Sequence, residues 1–164
     1  MLRHHVVFIG DNAVGKTTLI HRIITGKFNP YVKTTIGCDF MSHIYFDDEM
    51  EHQVMFWDTC GRLGYVSLIL PYISKADLVV VLYDTSKPCS LDEWLKYVPD
   101  GIGVLILPVI REAEGIPHDN SIHFVSKPVN IVTGDNVESF VKDMKKLLKG
   151  DVPEKRVRCG CIQI

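Results

Sequence analysis

No apolar run in this 164-residue chain approaches the roughly 18 residues that span a bilayer; the runs at 78–82 and 104–107 are of strand length. The opening Met1-Leu2-Arg3-His4-His5-Val6 passes straight into strand-like sequence and lacks the long apolar region of a signal peptide. Excess positive charge is also missing. Eighteen Lys and Arg stand against 20 Asp and Glu, for a net charge of −2, which excludes the basic surface of a general nucleic-acid binder. Cysteines are few and ill-placed for metal or disulfides: Cys38, Cys60 and Cys89 lie far apart with no partner at zinc-ligand spacing. An odd total of five argues against a disulfide framework. Repeats and low-complexity segments are lacking. The composition, 46% apolar and 23% charged, excludes a disordered chain. A soluble intracellular protein with a single compact domain is the expectation.

What is present begins with an uneven placement of charge. Residues 142–158 carry seven Lys and Arg against three Asp and Glu, and residues 1–141 carry eleven against seventeen. An acidic body with a basic end suits an end that meets an anionic surface, or a solvated final helix with a charged face. Strand-like runs recur at 6–9, 44–46, 54–57, 78–83, 104–107 and 122–125. Helical patterns fill 16–25, 65–74, 91–97 and 136–149, the last with an apolar stripe of Val137, Phe140, Val141, Met144, Leu147 and Leu148. This alternation predicts an α/β fold with a six-stranded, mostly parallel sheet flanked by helices. The acidic stretch 47–51 is too short for a crossover, so the strands on either side of it should pair antiparallel. Residues 1–150 form the expected domain and 151–164 a basic, cysteine-bearing tail.

The strongest signal is Gly10-Asp11-Asn12-Ala13-Val14-Gly15-Lys16-Thr17, followed by Thr18. It satisfies G-x-x-x-x-G-K-[ST] between a strand and a helix, the context that defines a P-loop NTPase fold. Glycines let backbone N–H groups turn inward around phosphate oxygens, and the helix N-terminus adds partial positive charge. Lys16 brings a point charge to the outer phosphates, and the Thr17 hydroxyl reaches Mg²⁺. Downstream, Trp57-Asp58-Thr59-Cys60-Gly61 ends the third strand. A carboxylate opposite a P-loop, here Asp58, is what a Mg²⁺ shell needs.

With those motifs in place, the chain resembles a Rab-type small GTPase of the Ras superfamily. Thr35-Ile36-Gly37-Cys38-Asp39-Phe40 is similar to the family's first switch, and the stretch from Trp57 to Gly61 to the start of its second. Tyr83-Asp84-Thr85-Ser86 and Gly134-Asp135-Asn136-Val137-Glu138 are similar to other Rab stretches. The likeness is good over 3–97 and loose over 121–161. It implies GTP or GDP as ligand and Mg²⁺ as cofactor. Thr35 would coordinate the metal and sense the γ-phosphate through its backbone, and Asp58 would hold the metal through water. Phe28 would pack against the base and Gly61 would donate its N–H to the γ-phosphate. Effector proteins would bind through 32–45 and 58–74, and the protein would act as a monomer in vesicle trafficking.

The chain departs from the family in three places. Arg62 stands where the family has its water-orienting Gln, followed by Leu63 in place of an acidic residue. Arginine donates but cannot accept, so Arg62 either leaves the attacking water unaligned or acts as an arginine finger in cis. Asn-Lys-x-Asp, which reads guanine in the family, is absent; Glu112 stands where its Asp would fall. Glu112 is either a substitute acceptor for guanine or an ordinary surface residue. The segment 112–126 is too short for the family's fourth crossover helix and reads as a loop, leading to Ser126 and Lys127 in place of Ser-Ala-Lys.

The chain finishes Arg158-Cys159-Gly160-Cys161-Ile162-Gln163-Ile164, a loose C-a-a-X with a Rab-like double cysteine, behind Lys155 and Arg156. Lipidation of Cys159 and Cys161 beside a basic stretch would anchor the protein to the cytoplasmic face of an intracellular membrane. The expectation is a guanine-nucleotide switch with slow hydrolysis. The alternative is a pseudo-GTPase binding module with weakened guanine specificity. A P-loop kinase or ATPase fits less well, because it has no use for Thr35-Ile36-Gly37.

Overall fold

Successive residues of a strand face opposite sides of a sheet, and in this chain the central strands are apolar on both. The computed structural model describes residues 1–47, 50–86, 89–110 and 124–150. In chain order the elements are β1 (Leu2–Gly10), α1 (Lys16–Thr25), β2 (Cys38–Asp47), β3 (Met50–Thr59), a 3-10 turn (Leu63–Tyr65) leading into α2 (Val66–Ile73), and β4 (Leu78–Asp84). Then come α3 (Cys89–Leu95), β5 (Gly103–Val109), β6 (Phe124–Val125) and α4 (Val137–Leu148). The sheet order is β2-β3-β1-β4-β5-β6. Every pairing is parallel except β2 with β3, whose antiparallel register runs from Cys38 opposite Thr59 to Asp47 opposite Met50.

Val6, Val7, Phe8 and Ile9 of β1 are all fully buried, as expected of a strand covered on both faces. Val6 and Phe8 join α1 (Leu19, Ile20) and α4 (Phe140, Met144) in one core. Phe8 meets Phe56 and Phe140 edge-on, at centroid distances of 5.8 and 6.4 Å. Val7 and Ile9 join α2 (Val66, Ile69, Ile73) and Trp94 of α3 in a second core on the other face.

Helix boundaries follow local chemistry. Gly15 (φ 108°) and Gly26 (φ 72°) bracket α1 in left-handed conformations that a side chain would strain. In α4, Glu138 sits in the first turn and Lys145 and Lys146 in the last, matching the helix dipole. Of its predicted stripe, Val137, Phe140 and Met144 are buried while Val141, Leu147 and Leu148 pack against the same core. The Arg22 guanidinium of α1 donates to the carbonyls of Ile131 and Val132 at 2.8 Å and of Thr133 at 2.9 Å. That clasp fixes the β6–α4 connection. Among the described residues no helix is long and apolar enough to cross a membrane. The expected loop in place of a fourth crossover helix, the tail 151–164 and Glu112 lie outside the described residues.

Candidate functional site

The phosphate-binding loop hangs between β1 and α1. A side chain on Gly10 would run into the Leu82 carbonyl of β4, so only glycine lets the loop leave the sheet there. Val14 is buried in the core and anchors the loop, leaving Asn12 and Ala13 exposed. The loop and the facing segment enclose a cleft of about 250 Å³ whose lining includes Asn12, Lys16, Thr18, Thr35, Cys60 and Gly61.

Lys16 is 6% exposed. Its Nζ donates to the carbonyls of Gly10 at 2.8 Å and Asp11 at 2.9 Å. Burial lowers its pKa to about 8, against the pull of Asp58 and Asp11. Anionic phosphate oxygens in the cleft would favour its charged form, so the loss of hydration is offset by bound charge.

Thr17, Thr35 and Asp58, from α1, the segment before β2 and the end of β3, converge on one point. Both threonine hydroxyls donate to Asp58 Oδ2 at 2.6 Å, and the two hydroxyl oxygens lie 3.0 Å apart. Each hydroxyl has one proton, and an ionised carboxylate only accepts. With both protons directed at Asp58, the threonine oxygens face each other lone pair to lone pair. Asp58 is 1% exposed and its Oδ1 has no partner. An all-oxygen set with a single carboxylate and an orphaned buried oxygen fits a hard cation such as Mg²⁺, which binds through one or two carboxylates plus substrate phosphates. Among the described residues there is no cluster of three or more His, Cys, Asp or Glu that would make a closed metal cage.

The second edge of the cleft is tied to the first. Cys60 N donates to Gly37 O at 2.8 Å, and Thr59 Oγ1 donates to Phe8 O at 2.7 Å. A side chain on Gly61 would collide with the backbone of Asp11 and Asn12, so this glycine lies directly on the phosphate loop. Cys38, opposite Thr59 in the β2–β3 pair, carries a thiol pushed up to about 12 by burial and then by Asp58, which leaves it no nucleophilic thiolate at neutral pH.

Other predicted residues lie apart from this convergence. Arg62 is exposed, and its carbonyl accepts from Tyr65 N at 3.0 Å. Phe28 is 38% exposed and is not among the residues that line the cleft. Ser126 is buried, with its hydroxyl donating to Asp143 of α4 at 2.8 Å, while Lys127 is exposed. Glu112, Cys159 and Cys161 lie outside the described residues. Trp94 escaped notice in the sequence: its indole N–H donates to Asp11 Oδ1 at 2.8 Å. A lone apolar position on a helical stripe carries no sign of such a bond.

The profile of the family described as Ras of Complex, Roc, domain of DAPkinase matches residues 5–107. Ras-related protein Rab-32D of Dictyostelium discoideum is 35% identical over 94 residues, covering 56% of this chain and 41% of that protein. The matched stretch thus spans less than half of that relative's length. Residues 5–107 hold the phosphate loop, the Thr17–Thr35–Asp58 convergence and Gly61 on one mostly parallel sheet. The chain belongs to the Ras-like family described as Ras of Complex, Roc, domain of DAPkinase, and over 94 residues it is similar to a Rab-type member of the Ras superfamily.

Proposed function

We propose that this chain is a guanine-nucleotide-dependent switch that hydrolyses GTP slowly and acts in membrane or vesicle trafficking. The observation that carries the reading is the meeting of Thr17, Thr35 and Asp58 beside Lys16, with Asp58 Oδ1 buried and unpartnered. Asp11, Asn12, Ala13, Val14, Gly15, Lys16, Thr17 and Thr18 hold the phosphates, largely through backbone N–H groups. Thr17 and Thr35, with Asp58 through water, hold Mg²⁺. When bound, the metal neutralises phosphate charge. Glu112 and Phe28 recognise the base, with Lys127 beside it. Ser126 contributes through position, since its hydroxyl is engaged by Asp143.

The switching logic rests on connectivity. Thr35 and Gly61 both border the cleft, and the Cys60–Gly37 bond joins their segments. A γ-phosphate drawn to both would order 32–45 and 58–74 together. Between those segments Trp57 packs with tilted rings against Phe40 and Tyr72, at centroid distances of 5.5 and 4.8 Å, and Leu68 is 56% exposed. Such an aromatic patch suits effector proteins that read the ordered state. Cys159 and Cys161 carry lipid and place the protein on a cytoplasmic membrane face.

Isothermal titration of GTP, GDP and ATP into nucleotide-free protein tests the reading. GTP and GDP should bind more tightly than ATP, and Lys16→Ala should abolish binding while the circular dichroism spectrum is preserved. Retained GTP affinity in that variant removes the proposal. The missing Asn-Lys-x-Asp and the arginine at 62 favour a second reading, a pseudo-GTPase. Equal affinity for GTP and ATP with no turnover would select it.

A further inference from the structure

Trp94 is wholly buried in the core between the sheet and α2, yet its one polar atom leaves that core to reach the phosphate loop. Its Nε1 donates to Asp11 Oδ1 at 2.8 Å. Asp11 is engaged on two further sides. Its carbonyl accepts from Lys16 Nζ at 2.9 Å and from Val14 N at 3.3 Å. Its backbone also lies against Gly61, with no room for even a methyl group between them. One residue of the loop therefore touches α3, the phosphate-binding lysine and Gly61 of the second switch.

We infer that Trp94 is a positioning residue for the phosphate loop, holding Asp11 so that the Lys16 amino group and the Gly61 N–H face the same phosphate. The inference rests on the nucleotide-binding reading above. An indole N–H only donates and an ionised carboxylate only accepts, so the bond has one polarity and no substitute within Trp94 itself. A hydrogen bond to a charged group, shielded from water on the indole side, is among the stronger kinds. The rigid two-ring side chain is locked by Val7, Ile9, Val79 and Val81 of the sheet and by α2. Val14 anchors the loop in the core on one face of the sheet, and Trp94 supplies a second fixed point from the core on the other face. Because Val66, Ile69 and Ile73 of α2 share that core with Trp94, repacking of α2 when the second switch moves also reaches the loop through this bond.

The test uses Trp94→Phe, which keeps an aromatic ring in the core and removes the N–H. Release of the fluorescent probe mant-GDP, with Mg²⁺ present, should be about five- to tenfold faster than in wild type. Trp94→Gln offers a donor from a flexible stem and should also release mant-GDP faster than wild type; a wild-type rate in it would overturn the positioning role. A second arm covers the case in which Trp94→Phe does not fold. In the Trp57→Phe chain Trp94 is the only indole left, and its emission should shift on addition of GDP and Mg²⁺. A purely structural tryptophan far from the ligand would show no shift. Unchanged mant-GDP release in a folded Trp94→Phe, or no emission change in Trp57→Phe that binds GDP, overturns the inference while leaving nucleotide binding intact. Failure of wild type to bind mant-GDP overturns the nucleotide reading, and the inference with it.

Discussion

Under the proposed function, turnover would be decided at a single side chain. Hydrolysis needs a water aligned with the γ-phosphate, and an amide does this by donating and accepting together. Arg62 keeps donors, loses the acceptor and brings a cation toward Lys16 and the metal. It is exposed, and Leu63 after it supplies no anion to steer it. On the proposed function, Arg62 would therefore leave the water unaligned. In single-turnover hydrolysis, Arg62→Gln should be faster than wild type, on the order of tenfold, and Arg62→Ala close to wild type. An Ala variant much slower than wild type would make Arg62 a working arginine finger and reverse this conclusion. Asp58 and Gly61 resist change for different reasons: one is a buried carboxylate whose hydrogen-bond partners come from two other segments, the other has no space for a Cβ.

Between elements, an unexpected polar stack joins the sheet to its last helix. His4 of β1 and His52 of β3 stack at 5.2 Å, with His4 Nε2 3.0 Å from His52 Nδ1. Tyr45 of β2 stacks on His52 at 4.9 Å, and Lys145 of α4 sits 3.9 Å over the Tyr45 ring. Asp47 pairs with Lys149 at the same end. A ring-to-ring hydrogen bond requires one of its two nitrogens to be unprotonated. Burial first and His52 second hold His4 below its ordinary value of 6.5, against the opposing pull of Asp77. A histidine with a lowered native pKa contributes stability that is present above 6.5 and is lost as pH falls below it. Thermal unfolding between pH 7.5 and 5 should therefore show a falling Tm below about 6.5, with a shallower fall in His4→Phe. The same slope in both chains would exclude the histidine pair as its source.

For the molecule as a whole, the proposed function would let charge and tail set where it works. Residues 1–141 carry six more acidic than basic residues and 142–158 four more basic than acidic, so the stretch before Cys159 and Cys161 is the one an anionic surface would attract. One lipid chain binds a bilayer marginally, and a second chain or a basic stretch stabilises it. Cys161→Ser should lower the membrane-bound fraction in a flotation assay, and the Cys159→Ser, Cys161→Ser pair should abolish it. An unchanged fraction in the double variant would assign attachment to the basic stretch or to a partner.

Strand and helix identities, the parallel sheet with one antiparallel edge, and the phosphate loop were legible from residue order. Each depends on local periodicity or on a short motif whose spacing is its mechanism. Lys16 could be placed in the cleft because its neighbours in sequence build the loop that holds it. Asp58 could be named because it closes a strand opposite that loop. Contacts between distant segments were not legible. The Trp94–Asp11 bond joins residues 83 apart, the Arg22 clasp joins residues about 110 apart, and the Ser126 hydroxyl is drawn to Asp143. No local pattern marks such pairs. Which donor meets which acceptor follows from how helices settle on the sheet, and that is decided by the packing of two cores summed over the whole chain.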